Sequence, residues 1–196
     1  MWSQPMSDPR RPRDASARLD EIFGIFAAHG DDSYGEAVSQ IEHAVQSAEI
    51  AEAQSAAETL IAAALLHDIG HMIHRDAAAA FHDGRDDAHE RLAGKYLAGL
   101  FPPAVIRPIE MHVDAKRCLV TTEPAYAAAL SPVSRRTLEL QGGPMTGAEA
   151  AAFLADPHAA DAIALRRIDE AAKIEGAGRD GVARFRPLLE RLALGL

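Results

Sequence analysis

At 196 residues the chain is long enough for one domain with a sizeable core, and its 48% hydrophobic content, much of it alanine, is that of a globular protein. A formal charge of −9 excludes a general nucleic-acid binder, which needs a basic face, but leaves room for a local cationic pocket that takes a small anion. The single cysteine, Cys118, excludes an intrachain disulfide and favours the cytoplasm.

Residues 1–14 mix Pro, Ser, Asp and Arg and read as a disordered tail, without the apolar segment of a targeting signal. The remainder, 15–196, reads as one domain. Leu19, Ile22, Phe23 and Phe26 have helical spacing and predict a helix from about residue 16, which ends in the loop His29-Gly30-Asp31-Asp32-Ser33. A second helix, about 35–56, repeats Val38, Ile41, Val45 and Ala48 at intervals of three and four, with His43 inside it. The third, about 57–67, holds the most apolar run of the chain, 60–66, and is predicted to stop near Gly70. That run falls far short of the ~20 residues a membrane span takes, so no membrane association is expected.

Residues 74–87 have no clean period and read mainly as irregular. Helix returns over about 88–100, with His89 near its start. Pro102 and Pro103 interrupt it, and a further helix over about 104–115 places His112 near its end. Thr122-Glu123-Pro124 and Ser131-Pro132 each set a capping residue near a proline, and Thr146-Gly147-Ala148-Glu149 is a capping box. Asp156-Pro157 opens a helix to about Lys173, and an amphipathic stretch over 181–192 closes the chain. No stretch alternates with period two, so the expected fold class is all-α, a single helical bundle. Nothing in the sequence speaks to oligomeric state.

Chemistry concentrates at His67-Asp68, at the end of the buried run. An unpartnered carboxylate there would cost several kcal/mol, whereas imidazole and carboxylate together are good ligands for a borderline divalent metal. His43, His67, His89 and His112 follow one another at 24, 22 and 23 residues, the spacing expected when successive helices each bring one ligand to a shared centre, and Asp169 adds a second carboxylate. Taken singly, a helical His is an ordinary surface or core residue, and Asp169 is as well explained by a pairing with Arg166. The adjacent His–Asp pair gives the set its weight. His29, His74, His82 and His158 fall in looser contexts and are left out.

His43, then His67-Asp68-Ile69-Gly70, then Asp169 resembles the HD-domain metalloproteins, and the extra His89 and His112 resemble the subgroup that holds two metal ions. Three further blocks narrow the likeness: residues 34–43 (Tyr34-Gly35-Glu36-Ala37-Val38-Ser39-Gln40-Ile41-Glu42-His43), His112-Val113-Asp114-Ala115-Lys116-Arg117, and 130–145, which contains Ser131-Pro132-Val133-Ser134-Arg135-Arg136-Thr137. Together they are similar to the HD-type di-iron oxygenases of organophosphonate breakdown, over about residues 33–173.

The resemblance implies one iron on His43, His67, Asp68 and Asp169, and a second on His89, His112 and a bridging oxygen of Asp68. The pair would be mixed-valence Fe(II)/Fe(III), with O2 as co-substrate. Four neutral imidazoles and two carboxylates supply only two negative charges, so an anionic substrate would be welcome. The donor set by itself also suits Zn or Mn. Asp68, His71 and Lys116 are expected to serve catalysis. His71, Lys116, Ser134, Thr137 and Arg166 match positions that hold the phosphonate. The expected reaction is oxidative cleavage of the C–P bond of a 1-hydroxy-2-ammonioethylphosphonate. Where the aminoethyl enzyme has a lid Tyr three residues before a lid Glu, this chain has Ser33, with Tyr34 one position later and Glu36 as the Glu. Asp31, Asp32, Tyr34 and Glu36 suit a quaternary ammonium, so the expected substrate is [1-hydroxy-2-(trimethylamino)ethyl]phosphonate, giving glycine betaine and phosphate. The alternatives are 2-amino-1-hydroxyethylphosphonate, giving glycine, and a metal-dependent phosphohydrolase acting on a phosphate ester with the same ligands.

Overall fold

A computed structural model describes residues 14–33, 37–74, 83–178 and 181–194. Its helices begin where side chains bind the first free amides. Helix α1 (Ala15–His29) follows Asp14, whose carboxylate accepts from the Ser16 amide at 3.2 Å. Helix α2 (Gln40–Ala53) starts on a capping box in which the Ser39 hydroxyl accepts from the Glu42 amide and the Glu42 carboxylate accepts from the Ser39 amide. Then come α3 (Glu58–Leu66), α4 (Ile69–Ile73), α5 (His89–Leu97), α6 (Pro103–Thr122) and α7 (Pro124–Ala129). Helix α8 (Pro132–Leu140) is capped by Ser131 and α9 (Gly147–Leu154) by a Thr146–Glu149 box. Helix α10 (Ala159–Ala171), a 3-10 turn (Val182–Phe185) and α11 (Arg186–Leu192) complete the order.

Helix α3 is apolar all round: residues 60–66 are all buried, so it can only lie at the centre. Helices α2, α6, α10 and α11 pack directly on it, α1 seals α4 and α11, and α5 lies across α4 and α6. A second, smaller apolar cluster joins the far half of α6 (Met111, Ala115, Cys118) to Phe153 of α9 and Ala162 of α10. Among the described residues there is no strand, only an isolated bridge between Ala98 and Phe101. The all-α expectation holds, and no described helix is long and apolar enough to cross a membrane.

Several boundaries differ from those read off the sequence. Helix α2 starts at Gln40 rather than near 35, because Ser39 is its cap. Helix α6 runs on to Thr122, with His112 at its middle rather than near its end. Cys118 and Leu119 carry its buried stripe onward, and Pro108 lies inside the helix, past the first-turn positions whose amides are free, so it forgoes one backbone hydrogen bond. Thr122 belongs to α6, its hydroxyl donating to the Cys118 carbonyl at 3.0 Å, and does not cap α7. Helix α10 starts at Ala159, after a turn in which Asp156 accepts from the His158 amide. The predicted tail, apart from Asp14, lies outside the described residues.

The most consequential difference concerns Gly70. The helix does not stop there; it breaks earlier, at the His67–Asp68 turn, and Gly70 lies inside α4. A Cβ at Gly70 would fall within 3 Å of the carbonyl group and Cα of His89. Glycine is needed so that α4 can touch the α5 backbone and bring Asp68 to His89. Gly70→Ala is therefore expected to destabilise the fold by about 1–3 kcal/mol through forced separation of the two helices. Gly24→Ala, with no atom within 4 Å of the added Cβ in α1, should instead stabilise by ~0.5–1 kcal/mol. Equilibrium urea unfolding of the two variants reads the difference in sign.

Candidate metal centre

Each candidate imidazole is turned by what its Nδ1 touches. His67 and His112 donate from Nδ1 to the carbonyls of Ala64 and Ile109, one turn back in their own helices, at 2.8 and 2.7 Å. His43 donates to the Ala172 carbonyl just beyond α10 at 2.7 Å, and His89 to Asp87 Oδ1 at 2.9 Å. Carbonyl and carboxylate oxygens only accept, so Nδ1 carries a proton and, with the ring neutral, every Nε2 presents a lone pair. These four lone pairs converge. His43 and His67 bring Nε2 to within 3.2 Å of each other, and His89 and His112 to within 3.1 Å.

The carboxylates close the set. Asp68 Oδ1 stands 3.5 Å from Nε2 of His67 and of His89 and 3.7 Å from that of His112, while Oδ2 stands 3.6 Å from His43 Nε2. Asp68 thus faces both imidazole pairs, the position a bridge requires. Asp169 Oδ1 lies 3.4 Å from His43 and 4.0 Å from His67. Two groups with ligand atoms inside 4.8 Å result, His43–His67–Asp169 and Asp68–His71–His89, with His112 beside the second. The sequence reading placed His71 as a phosphonate contact; the geometry also brings it within ligand range.

Charge points the same way. Burial would drive every imidazole neutral, yet Asp169 and Asp68 outweigh it at His43, and Asp87 and Asp68 at His89, so both are pushed up to about 9. Burial holds His67 down, and together with the rings of His89 and His67 it holds His112 well below its ordinary value. Each Nε2 pair therefore takes one positive charge between its rings, where a cation would bind. Burial would raise the carboxyls of Asp68 and Asp169, but the imidazoles, His67 foremost, hold Asp68 far below the usual range, and Arg166 foremost does so for Asp169. The residues present fit two divalent first-row ions.

The centre opens into a cleft of about 110 Å³, shared with His43, Asp68, His89, His112 and Asp169, whose further lining includes Lys116, Ser134, Thr137, Arg166 and His71. Lys116 donates to the Thr137 hydroxyl at 2.9 Å; burial pushes its pKa down to about 7, with Arg166 and Lys173 adding to the effect. Arg166 is not a free fork. It binds Asp169 and Glu170, the Ser134 hydroxyl at 3.1 Å and the Tyr126 hydroxyl at 2.8 Å. Tyr34 and Glu36 lie outside the described residues. His29, His74 and His158 do not line the cleft.

Four residues were missed. Asp87 contacts both His71 and His89. Glu170 gathers Arg166, the Ser134 hydroxyl and the Ser131 amide, and Lys173 donates to Ser131 and Ser134. Tyr126 holds Arg166 from α7. Asp87 sits two residues before a candidate ligand, and Glu170 and Lys173 within a turn of Asp169, so proximity was a usable signal for three of them. Nothing in the sequence marks Tyr126. Because Asp68 faces all four imidazoles, Asp68→Ala is expected to lose both ions, not one, when metal content is measured after reconstitution and desalting.

Comparison with known proteins agrees with this geometry. The HD domain family model matches residues 40–161. Hydroxymethylphosphonate dioxygenase of Gimesia maris is 42% identical over 160 residues, 81% of this chain and 80% of that one. [1-hydroxy-2-(trimethylamino)ethyl]phosphonate dioxygenase (glycine-betaine-forming) of Leisingera caerulea is 39% identical over 172 residues, covering 87% and 88%. An uncharacterised protein of Acanthamoeba polyphaga mimivirus is 37% identical over 160 residues, covering 80% and 73%. With its paired imidazoles and shared carboxylates inside the matched span or just beyond it, the chain belongs to the HD-domain family.

Proposed function

We propose that this protein is a non-haem di-iron dioxygenase that cleaves the C–P bond of a small 1-hydroxyalkylphosphonate. The observation that carries this reading is the convergence of four Nε2 atoms and two carboxylates on a cleft whose next wall is cationic. Its similarity over most of its length to two phosphonate dioxygenases supports it. His43, His67, Asp68 and Asp169 would hold one iron, and His89, His112 and Asp68 the other. When bound, the pair supplies Lewis acidity toward the substrate oxygens and the redox capacity to use O2.

The chain's own residues do the rest. Lys116, Arg166 and Lys173 draw the phosphonate to the α6–α8–α10 wall, with the Thr137 and Ser134 hydroxyls beside it. Lys116 and His112 lie one turn apart on α6, so the anion is held at a fixed offset from the ligands. That offset would leave C1 next to the centre. The sum adds one O2 to the hydroxyphosphonate and releases phosphate and a carboxylate, without an external reductant.

For the specific substrate we favour [1-hydroxy-2-(trimethylamino)ethyl]phosphonate. The acidic Asp31–Asp32 pair does not itself line the cleft but is tied to its Gln40 wall, the Gln40 amide donating to the Asp32 carbonyl at 2.9 Å. Hydroxymethylphosphonate is the second reading: among the described residues no aromatic ring other than imidazole lines the cleft to receive a quaternary ammonium.

The test is phosphate release from iron-loaded protein, with and without O2, on the trimethylammonio, amino and hydroxymethyl phosphonates. Phosphate formed only with O2, and fastest from the trimethylammonio compound, is expected. Undiminished anaerobic activity, or full activity with zinc on a phosphate ester, would make the protein a phosphohydrolase. With Lys116 titrating at about 7, its charge is present below that pH and lost above it. KM for the phosphonate should therefore rise as pH climbs through 7 to 8.5, and Lys116→Arg, which stays charged, should flatten the rise.

A further inference from the structure

Asp87 closes the loop that leads into α5, and Ala88, directly after it, takes a left-handed conformation with φ 49°. An alanine there is strained and persists where its surroundings require it. The kink places one carboxylate beneath two rings. Oδ1 accepts from His89 Nδ1 at 2.9 Å, and Oδ2 lies 2.6 Å from His71 Nδ1. The rings stack with centroids 3.9 Å apart and planes within 21°. Both Nδ1 atoms lie against the same carboxylate, and the stacked rings share one direction. That direction is fixed by His89, whose Nε2 lies 3.1 Å from His112 Nε2 and 3.5 Å from Asp68 Oδ1.

We propose that Asp87 is a positioning residue that locks His71 and His89 into one unit, so that a single carboxylate sets both the ion held by His89 and the anion reached by His71. The anion half rests on the phosphonate reading above; the ion half stands on the imidazole geometry alone. A carboxylate on the outer nitrogen of a ligand imidazole fixes tautomer and orientation, and losing it typically weakens the metal 10–100-fold. Asp87 has a second, purely structural contact, its Oδ1 lying 3.4 Å from the His89 amide at the start of α5. Asparagine keeps that contact and the volume. It has only one acceptor oxygen, however: placed as Oδ1 it holds the His89 amide and the His89 Nδ1 together, and its NH2 then faces His71. Asp87→Asn therefore removes the His71 half alone, and Asp87→Ala removes both halves with the amide contact.

The experiment uses the full-length protein loaded anaerobically with iron and freed of excess metal. Ions per chain, release of each ion to a competing chelator, inorganic phosphate binding by calorimetry, and Tm of the metal-free protein are measured. Asp87→Asn should keep both ions and an unchanged Tm while binding phosphate more weakly; Asp87→Ala should in addition yield one ion 10–100-fold more readily. Phosphate binding unweakened by Asp87→Asn, or two ions held as in wild type by Asp87→Ala, would overturn the proposal. So would loss of both ions together with a lowered Tm, which marks a merely structural residue. Wild-type protein that uses no O2 would sink the dioxygenase reading while leaving the ion count of Asp87→Ala to be read as before.

Discussion

The donation of each Nδ1 proton to an oxygen is the constraint on which this molecule turns. Imidazole binds a metal through whichever nitrogen lacks a proton, and left alone it divides between two tautomers. Here the carbonyls of Ala64, Ile109 and Ala172 and the Asp87 carboxylate settle the choice at four rings. Four lone pairs then face inward at separations that are repulsive unless positive charge lies between them. The backbone has been spent on this: two of the oxygens belong to helical turns and one to the segment that leaves α10.

The bundle is arranged to bear that concentration of polarity. Helix α3, apolar all round, delivers His67, fully buried, and Asp68, which opens onto the cleft, from the core. Helix α10 sets Asp169 against Arg166, one turn apart and both buried, which supplies the counter-charge a buried carboxylate needs. Glu170 then compensates Arg166 from the other side. Each of these three charges has an opposite neighbour, and the chain can accept further cations at the centre and an anion beside it.

Much of this was legible in the chain. The His67-Asp68 pair stood out because it ends a run of seven apolar residues, and the even spacing of the four histidines expressed a bundle in which each helix contributes one ligand. Helix starts were readable wherever a serine or threonine met a glutamate three residues on, as at Ser39 and Thr146. What escaped was decided across space. Gly70 looks like a helix terminator and is instead a point of contact with the His89 backbone. Tyr126 holds Arg166 from forty residues away, and Asp87 is one aspartate of a polar loop until two imidazoles are seen to share it. Periodicity reports what a residue does for its own helix; it is silent on partners brought in by another.

Helix α6 carries a consequence of its own. It is 20 residues long, about 30 Å, and is gripped at both ends, by the main core through Val105 and Ile109 and by the smaller cluster through Met111, Ala115 and Cys118. His112 and Lys116 are two marks on that rigid ruler, about 6 Å apart along its axis. The distance between the reacting end and the anchored end of any ligand is thus graduated in helical turns, and no small substitution can shift it by half a turn. The opposite rim, where Val38 and Arg85 border the cleft, is made of connecting segments. A lineage built on this plan can exchange one ligand tail for another by rewriting those segments, while the gauge that measures out the bond to be broken stays unaltered.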